Sequence, residues 1–294
     1  MLTLNELIIA TEVGLIYGIL ALGIYFTFRT INFPDLTCDG SFVTGAAVSS
    51  VMIKSGVNPM LGIFLAVLAG GIAGFLTGLI NIRLKVEDLL SGIIVAFMLY
   101  SINLRIMETK PNISLVNEST IFRSDNSIII CMLIVVFILF FIAYLLSSDF
   151  GLGLRAIGQN KKFASANGIN VNAMTIFGLI ISNALIAMCG AIFTQYQGFC
   201  DVSQGTGCLV VGLASVITGE KFLPKIKFIR NLEIKSRNFI EIFFALFSCI
   251  IGSIAYRIFI AIAINSDIFG LKTQDLNLIT GLLIIFIMSR KQKC

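Results

Sequence analysis

The sequence predicts an all-α polytopic membrane protein, and three observations lead there. Hydrophobic residues fill 57% of the 294 positions, charged ones only 13%, and mean hydropathy is +0.98. Soluble domains carry about 25% charged residues, so this chain cannot cover its own surface in water. Its apolar residues gather into runs close to the roughly 20 that a spanning helix needs. Lys and Arg, finally, fall unevenly on alternate connecting segments. We expect about 8–9 transmembrane helices, a short re-entrant or half helix, and one more short helix in an inner loop. All belong to a single membrane domain over residues 1–294.

The runs are Leu7–Phe28, Leu36–Ile53, Met60–Ile82, Leu89–Met107, Ile128–Leu146, Met174–Gln197, Phe239–Ile264 and Leu276–Ser289. A ninth, Gly205–Gly219, is short and glycine-rich, and reads as a half-helix, a re-entrant segment or a short span. The first run has no Lys or Arg before it and no small-residue cleavage site behind it, so it reads as a retained span. Place the N-terminus outside and let all nine runs cross. Fifteen basic residues then lie on inner segments and five on outer ones: Lys54, Arg105, Lys110, Arg123 and Lys272. The positive-inside rule therefore favours an outer N-terminus and an inner C-terminus. Six of the inner residues lie in Lys221–Arg237, read either as a solvated loop touching lipid headgroups or as a surface for an acidic partner.

Composition also excludes chemistry. The chain has no histidine, so it holds no Ser–His triad, no His-ligated metal and no imidazole relay. Its seven cysteines show no CxxC spacing, and a metal cluster is not expected. Cys200 and Cys208 flank one polar stretch and would pair only in an oxidising compartment. No GxxxxGK[ST] loop is present, so ATP is not bound here by that route. The net charge of +5 marks membrane orientation rather than nucleic-acid binding.

Small residues recur at helical spacing in Ala66, Gly70, Gly74 and Gly78, in Gly14 and Gly18, and in Ser41, Gly45 and Ser49. Such stripes allow close helix packing in lipid, and a sliding face during a conformational cycle is the sharper reading. Polar residues concentrate in Asn32–Ser41, where Pro34 interrupts any helix. This stretch is either an inner turn with Asp35 or Asp39 capping the next helix, or a gate at the mouth of a pathway. Arg257 is expected to snorkel to the far interface or to form an ion pair. Gln195, Gln197, Asp201, Ser203 and Gln204 form an outer polar cluster, either an ordinary loop or a contact for a polar solute.

The most informative inner loop is about 149–173. Asn160 suits an N-cap and Gly168 a C′ position, which brackets a helix of about two turns. So short a helix is marginal alone and needs a partner or the span ends to hold it.

Arg155-Ala156-x-Gly158, then Ala164 and Gly168-Ile169-Asn170, resemble the coupling loop of ABC importer permeases of the branched-chain amino acid and ribose type. Thr30–Phe42 resembles the same family after its first span. Asn183–Asp201, with Gln195-Tyr196-Gln197-Gly198-Phe199, and Gly212–Glu220 are similar to a subgroup of tryptophan/tyrosine or uncharacterised transport permeases. Gly252–Ile262 and Thr273–Leu282 extend the likeness. The chain departs from the pattern at Cys200, Ser203, Gln204 and Thr206, at Lys161 in place of a proline, and in the basic Leu223–Arg237.

The resemblance implies a bacterial plasma-membrane subunit of an importer for a small polar solute, an aromatic or branched-chain amino acid. It implies a second permease copy, two separate ATPase subunits carrying ATP and Mg, an extracytoplasmic solute-binding protein and surrounding lipid. Arg155, Ala156, Gly158, Asn160, Lys161, Ala164 and Gly168 would couple to the ATPase. Asn32, Pro34, Asp35, Asp39, Asn183, Gln195, Gln197 and Asp201 would border the path or its gate. The chain itself would carry no catalytic residue, metal or cofactor. An ion-coupled secondary transporter is the alternative, but such proteins place ionisable groups at mid-membrane. Here the acidic residues are expected mostly at span ends. A membrane protein with a purely structural role is the third class.

Overall fold

The computed structural model describes residues 4–122, 127–222 and 234–265, together with Gly281 and Ile285. Helix α1 (Leu4–Tyr25) ends in a π-helical stretch, Phe26–Thr30. There follow α2 (Cys38–Lys54), α3 (Pro59–Arg83), α4 (Asp88–Ile106), β1 (Asn112–Ser114) and α5 (Ser127–Ser147). The second half comprises α6 (Asp149–Gln159), α7 (Lys161–Ala166), α8 (Val171–Gln197), β2 (Phe199–Asp201), α9 (Cys208–Phe222) and α10 (Ile234–Asn265).

Among the described residues six helices are long and apolar enough to cross a bilayer: α1 with its extension, α3, α4, α5, α8 and Phe239–Ala263 of α10. Helix α2 has 17 residues and α9 has 15. At 1.5 Å per residue they reach only about 25 and 22 Å, short of a hydrocarbon core of about 30 Å. The predicted run Leu276–Ser289, apart from Gly281 and Ile285, and most of the basic segment Leu223–Arg237 lie outside the described residues.

Helix α8 is the spine of the bundle. It runs parallel to α2 and antiparallel to α3, and the predicted small-residue stripes are the seams. Gly45 of α2 lies on the carbonyl of Ala187, and Gly190 of α8 lies on that of Phe42. On α3, Gly70 and Gly74 press on the backbone of α8 at Asn183 and Leu179. A Cβ at any of these would overlap backbone, so glycine is required by space alone. Gly14 and Gly18 of α1 meet Ile254 and Ile250 of α10 in the same antiparallel way, and the Ser253 hydroxyl donates to the Gly14 carbonyl at 2.7 Å. Phe97, Phe137 and Tyr144 point outward, as side chains facing lipid would.

The two ends of the bundle differ. At one, β1 and β2 pair antiparallel with Ile113 opposite Cys200. At the other lie α6, α7 and the ends of α1 and α9, joined by Arg29 and Glu220 at 2.6 Å. On the orientation expected from the basic residues this second end would be the inner one, and the ends are called inner and outer in that sense.

One expectation is corrected here. Arg257 neither snorkels nor joins any of the three ion pairs among the described residues. Its guanidinium carbon lies 3.9 Å from the ring centroid of Tyr17, halfway along α1. Helical side chains lean toward their helix N-terminus, which on α10 points away from the nearer end, and a ring face stabilises a desolvated cation. Cys200 and Cys208 are both free and buried, and they belong to different packing clusters. Cys200 faces Met107 under the β-pair, whereas Cys208 opens α9 and reaches the Gln204 carbonyl.

Candidate functional site

The stretch between α1 and α2 has no helix. Asn32 adopts a positive φ of 53°, and the Phe33 amide donates to the Thr27 carbonyl. Pro34 lacks an amide and holds Phe33 extended. The chain thus turns back into the bundle, and α2 starts beside the middle of α8 rather than at the inner surface. Asp35, Thr37 and Ser41 are all 0% exposed, so the stretch lies inside the bundle rather than at its surface, while the expected capping by Asp35 at the start of α2 is present.

Asp35 organises this break. One carboxylate oxygen takes the Thr37 amide at 2.8 Å, at the start of α2, and the other takes the Asn183 side-chain amide at 2.7 Å. Asn183 also donates to the Leu179 carbonyl and accepts from the Ser41 hydroxyl at 2.7 Å. The Thr37 and Thr77 hydroxyls share a hydrogen at 2.8 Å. A network of this kind locks three helices together provided each member is satisfied. Gly92 of α4 sits against the Leu36 amide and Asp35, where a side chain would not fit.

Asp39 serves a second helix start. Its carboxylate accepts from the amides of Gly207 and Leu209, at 3.1 and 2.9 Å, in the first turn of α9. The two short helices therefore begin inside the bundle, each with its own carboxylate, so Asp35 and Asp39 depart from the expectation that acidic residues lie mostly at span ends. Such a placement suits the positive partial charge at each helix start, equivalent to about half an elementary charge.

The other predicted path residues lie apart, near the β-pair. Gln195 is 2% exposed. Its amide donates to Ser49 and the Pro59 carbonyl, and its oxygen accepts from the Ile121 amide. Gln197 accepts from Gln204. Asp201 closes a turn through the Ser203 hydroxyl and amide, which hold its carboxyl below the usual carboxylate range. Asp35 and Asn183 are thus brought together. Gln195, Gln197 and Asp201 hold the outer end in shape.

At the inner end the predicted coupling residues form an elbow. The loop expected to contain one helix contains two, because Ser148 caps α6 through the Gly151 amide. Gly158 of α6 lies on the carbonyl of Thr30, at the end of α1. The Ala156 carbonyl takes the Asn160 amide, and Asn160 caps α7 by accepting from Phe163 at 3.0 Å. Gly168 closes α7 at φ 81°, and Ile169 donates back to Ala164. Ala164 is fully buried against the body, Lys161 pairs with Asp88 of α4 at 3.5 Å, and Phe163 is 65% exposed. Two guanidinium nitrogens of Arg155 are buried without a hydrogen-bond partner among the described residues. The elbow thereby touches α1, α4 and α8 at once.

The family described as branched-chain amino acid transport system, permease component, matches residues 7–288. The chain belongs to this family. It is 38% identical to a tyrosine transport system permease protein of Clostridioides difficile (strain R20291) over 273 residues, covering 92% of this chain and 86% of that protein. An uncharacterized Rickettsia prowazekii (strain Madrid E) protein is 35% identical over 97% of this chain and 98% of its own. A probable branched-chain amino acid transport permease of Methanocaldococcus jannaschii is 24% identical over 66% of each chain. No solved structure gives a significant match. This permease-family chain is accordingly a multi-pass membrane protein and a transport component.

Reasoning from the sequence missed several residues at these sites. Thr77 and Asn103 join the buried polar set from α3 and α4, and Asp88 holds Lys161. Their signal was polarity inside apolar runs, which is visible; their partners, tens of residues away, are not.

Proposed function

We propose that the chain is the membrane subunit of an ATP-driven importer that carries an amino acid, aromatic or branched-chain, into a bacterial cell. The likeness to the tyrosine transport permease over 92% of the chain carries this reading. Two copies of the chain pair in the membrane, with two ATPase subunits at the elbow end and a solute-binding protein at the β-pair end. ATP and Mg are held by the ATPase. In this arrangement α2 and α9 are short crossings, with the N-terminus outside and the C-terminus inside.

The elbow supplies the mechanical logic. Phe163 stands exposed on α7 as an apolar knob for a partner's groove, while Ala164 anchors the same helix to the body. Ala156, Gly158, Asn160, Lys161 and Gly168 fix the position of α7 against α6, α1, α4 and α8, and Arg155 stands on α6 with two guanidinium nitrogens that have no hydrogen-bond partner among the described residues. Movement of the partner at α7 then reaches the inner ends of three spans together, a rigid-element switch rather than chemistry on the solute. Asn32, Pro34, Asp35, Asp39 and Asn183 border the path where α2 and α9 begin, and Gln195, Gln197 and Asp201 shape its outer mouth.

The test is uptake of radiolabelled L-tyrosine and L-leucine by host cells with and without the chain. Uptake of either that needs both the chain and ATP supports the reading. Uptake that persists without ATP and follows an ion gradient would replace it with the secondary-transporter class.

A further inference from the structure

A cavity of about 140 Å³ lies between α2, α4 and the 202–206 turn, lined by Asp39, Gly40, Ala96, Tyr100, Asn103 and Thr206 among others. Its lining is chemically one-sided. Asn103 is 1% exposed, and its amide donates to the Gly40 carbonyl at 3.3 Å, yet its own oxygen has no partner among the described residues. A buried acceptor left unmatched is costly and calls for a donor. Asp39, when ionised, adds a negative charge. The helix start that it caps offsets only about half of one, and Asp39 joins none of the ion pairs among the described residues. No Lys or Arg lines the cavity. Tyr100 contributes a half-exposed aromatic ring at its edge, and Thr206 a hydroxyl.

We infer that this cavity is the recognition site for the primary ammonium of the transported solute. An ammonium brings three donors and one positive charge. Asp39, Asn103 and Thr206 provide three acceptors, and the Tyr100 face attracts a cation. The volume holds a head group, so a larger side chain would extend past Tyr100 into the open side of the cavity. Asp39 was expected at the path; Asn103 and Tyr100 are the new members, and they give the path a chemical preference. The inference rests on the amino-acid importer reading, but its charge preference is measurable without transport.

The test uses the full chain purified in detergent and carrying Thr206→Cys. It is labelled with a cationic ethylammonium thiosulfonate or with the neutral methyl thiosulfonate, and modification at residue 206 is read by peptide mass spectrometry. We expect the cationic reagent to react about tenfold faster relative to its rate with free thiol, as a nearby unpaired carboxylate dictates. Asp39→Asn should bring the ratio near one, and Asn103→Leu, which keeps the Asp39 cap of α9, should lower it. An equimolar mixture of the common L-amino acids other than cysteine, which would consume the reagent, should protect residue 206, and the matching deaminated acids should not. Equal rates with both reagents, or a ratio untouched by Asn103→Leu, would overturn the site. Protection by sodium over choline, without protection by amino acids, would make it an inorganic cation site and overturn the assignment of its occupant. Loss of ATP-dependent uptake in cells with charge-selective labelling intact would count against the importer reading alone.

Discussion

Asp35 accepts a 2.7 Å hydrogen bond from Asn183, a residue 148 positions away, and both side chains are 0% exposed. The bond ties the break after α1 to the middle of α8. It explains how an extended stretch survives inside an apolar bundle: its carboxylate and its backbone find partners within the protein.

Asn183→Leu should therefore be among the most damaging single changes in the bundle. It removes the donor to Asp35, the acceptor for Ser41 and a bond to Leu179. Leaving a buried carboxylate and hydroxyl short of partners costs about 3 kcal/mol. Thermal unfolding in detergent would show a lower midpoint for Asn183→Leu, with a smaller loss for Ser41→Ala, which strands only one acceptor lone pair.

The seam on α3 discriminates between neighbouring glycines. A methyl group at Gly74 would overlap the Leu179 carbonyl, whereas at Gly71 it would touch only Ile180 at an ordinary 3.4 Å. Gly74→Ala should destabilise by about 1–3 kcal/mol through overpacking. Gly71→Ala should be neutral or slightly stabilising, since alanine favours helix. Comparing the two midpoints in one detergent settles whether the stripe is a fixed seam.

The stacking of Arg257 on Tyr17 should appear as coupling between the two residues. Tyr17 also packs edge-on against Phe193 at 5.1 Å, so Tyr17→Leu costs more than the cation contact alone. A double-mutant cycle of Arg257→Gln with Tyr17→Leu isolates the pair and should give about 1–2 kcal/mol. Additive effects would mean that the guanidinium is held by something other than the ring.

Much of this fold was legible in the sequence. Asn160 and Gly168 bracket α7 as their chemistry requires, Pro34 breaks the chain where expected, and the span limits of α3, α4 and α5 agree within a residue or so. Each of these signals is local. The misses have a common physical origin in contacts between distant segments. Periodicity gives no reason for Arg257 to turn inward, because the ring that draws it stands on α1. The polarity of Gln195 and Asp201 is visible in the sequence, but the bonds of Gln195 to Ser49 and Pro59, on other segments, are not. The separate helix α6 did have a local sign, the Ser148-Asp149 cap, hidden within a stretch taken as loop.

The most direct test of the central claim is detergent purification of the tagged chain from its own host, with bound proteins identified by mass spectrometry. The account predicts that a nucleotide-binding ATPase subunit is recovered with the native chain and lost with Phe163→Asp, which alters only the exposed knob of α7. Recovery of the chain without any ATPase, or equal recovery of the ATPase with Phe163→Asp, would contradict it.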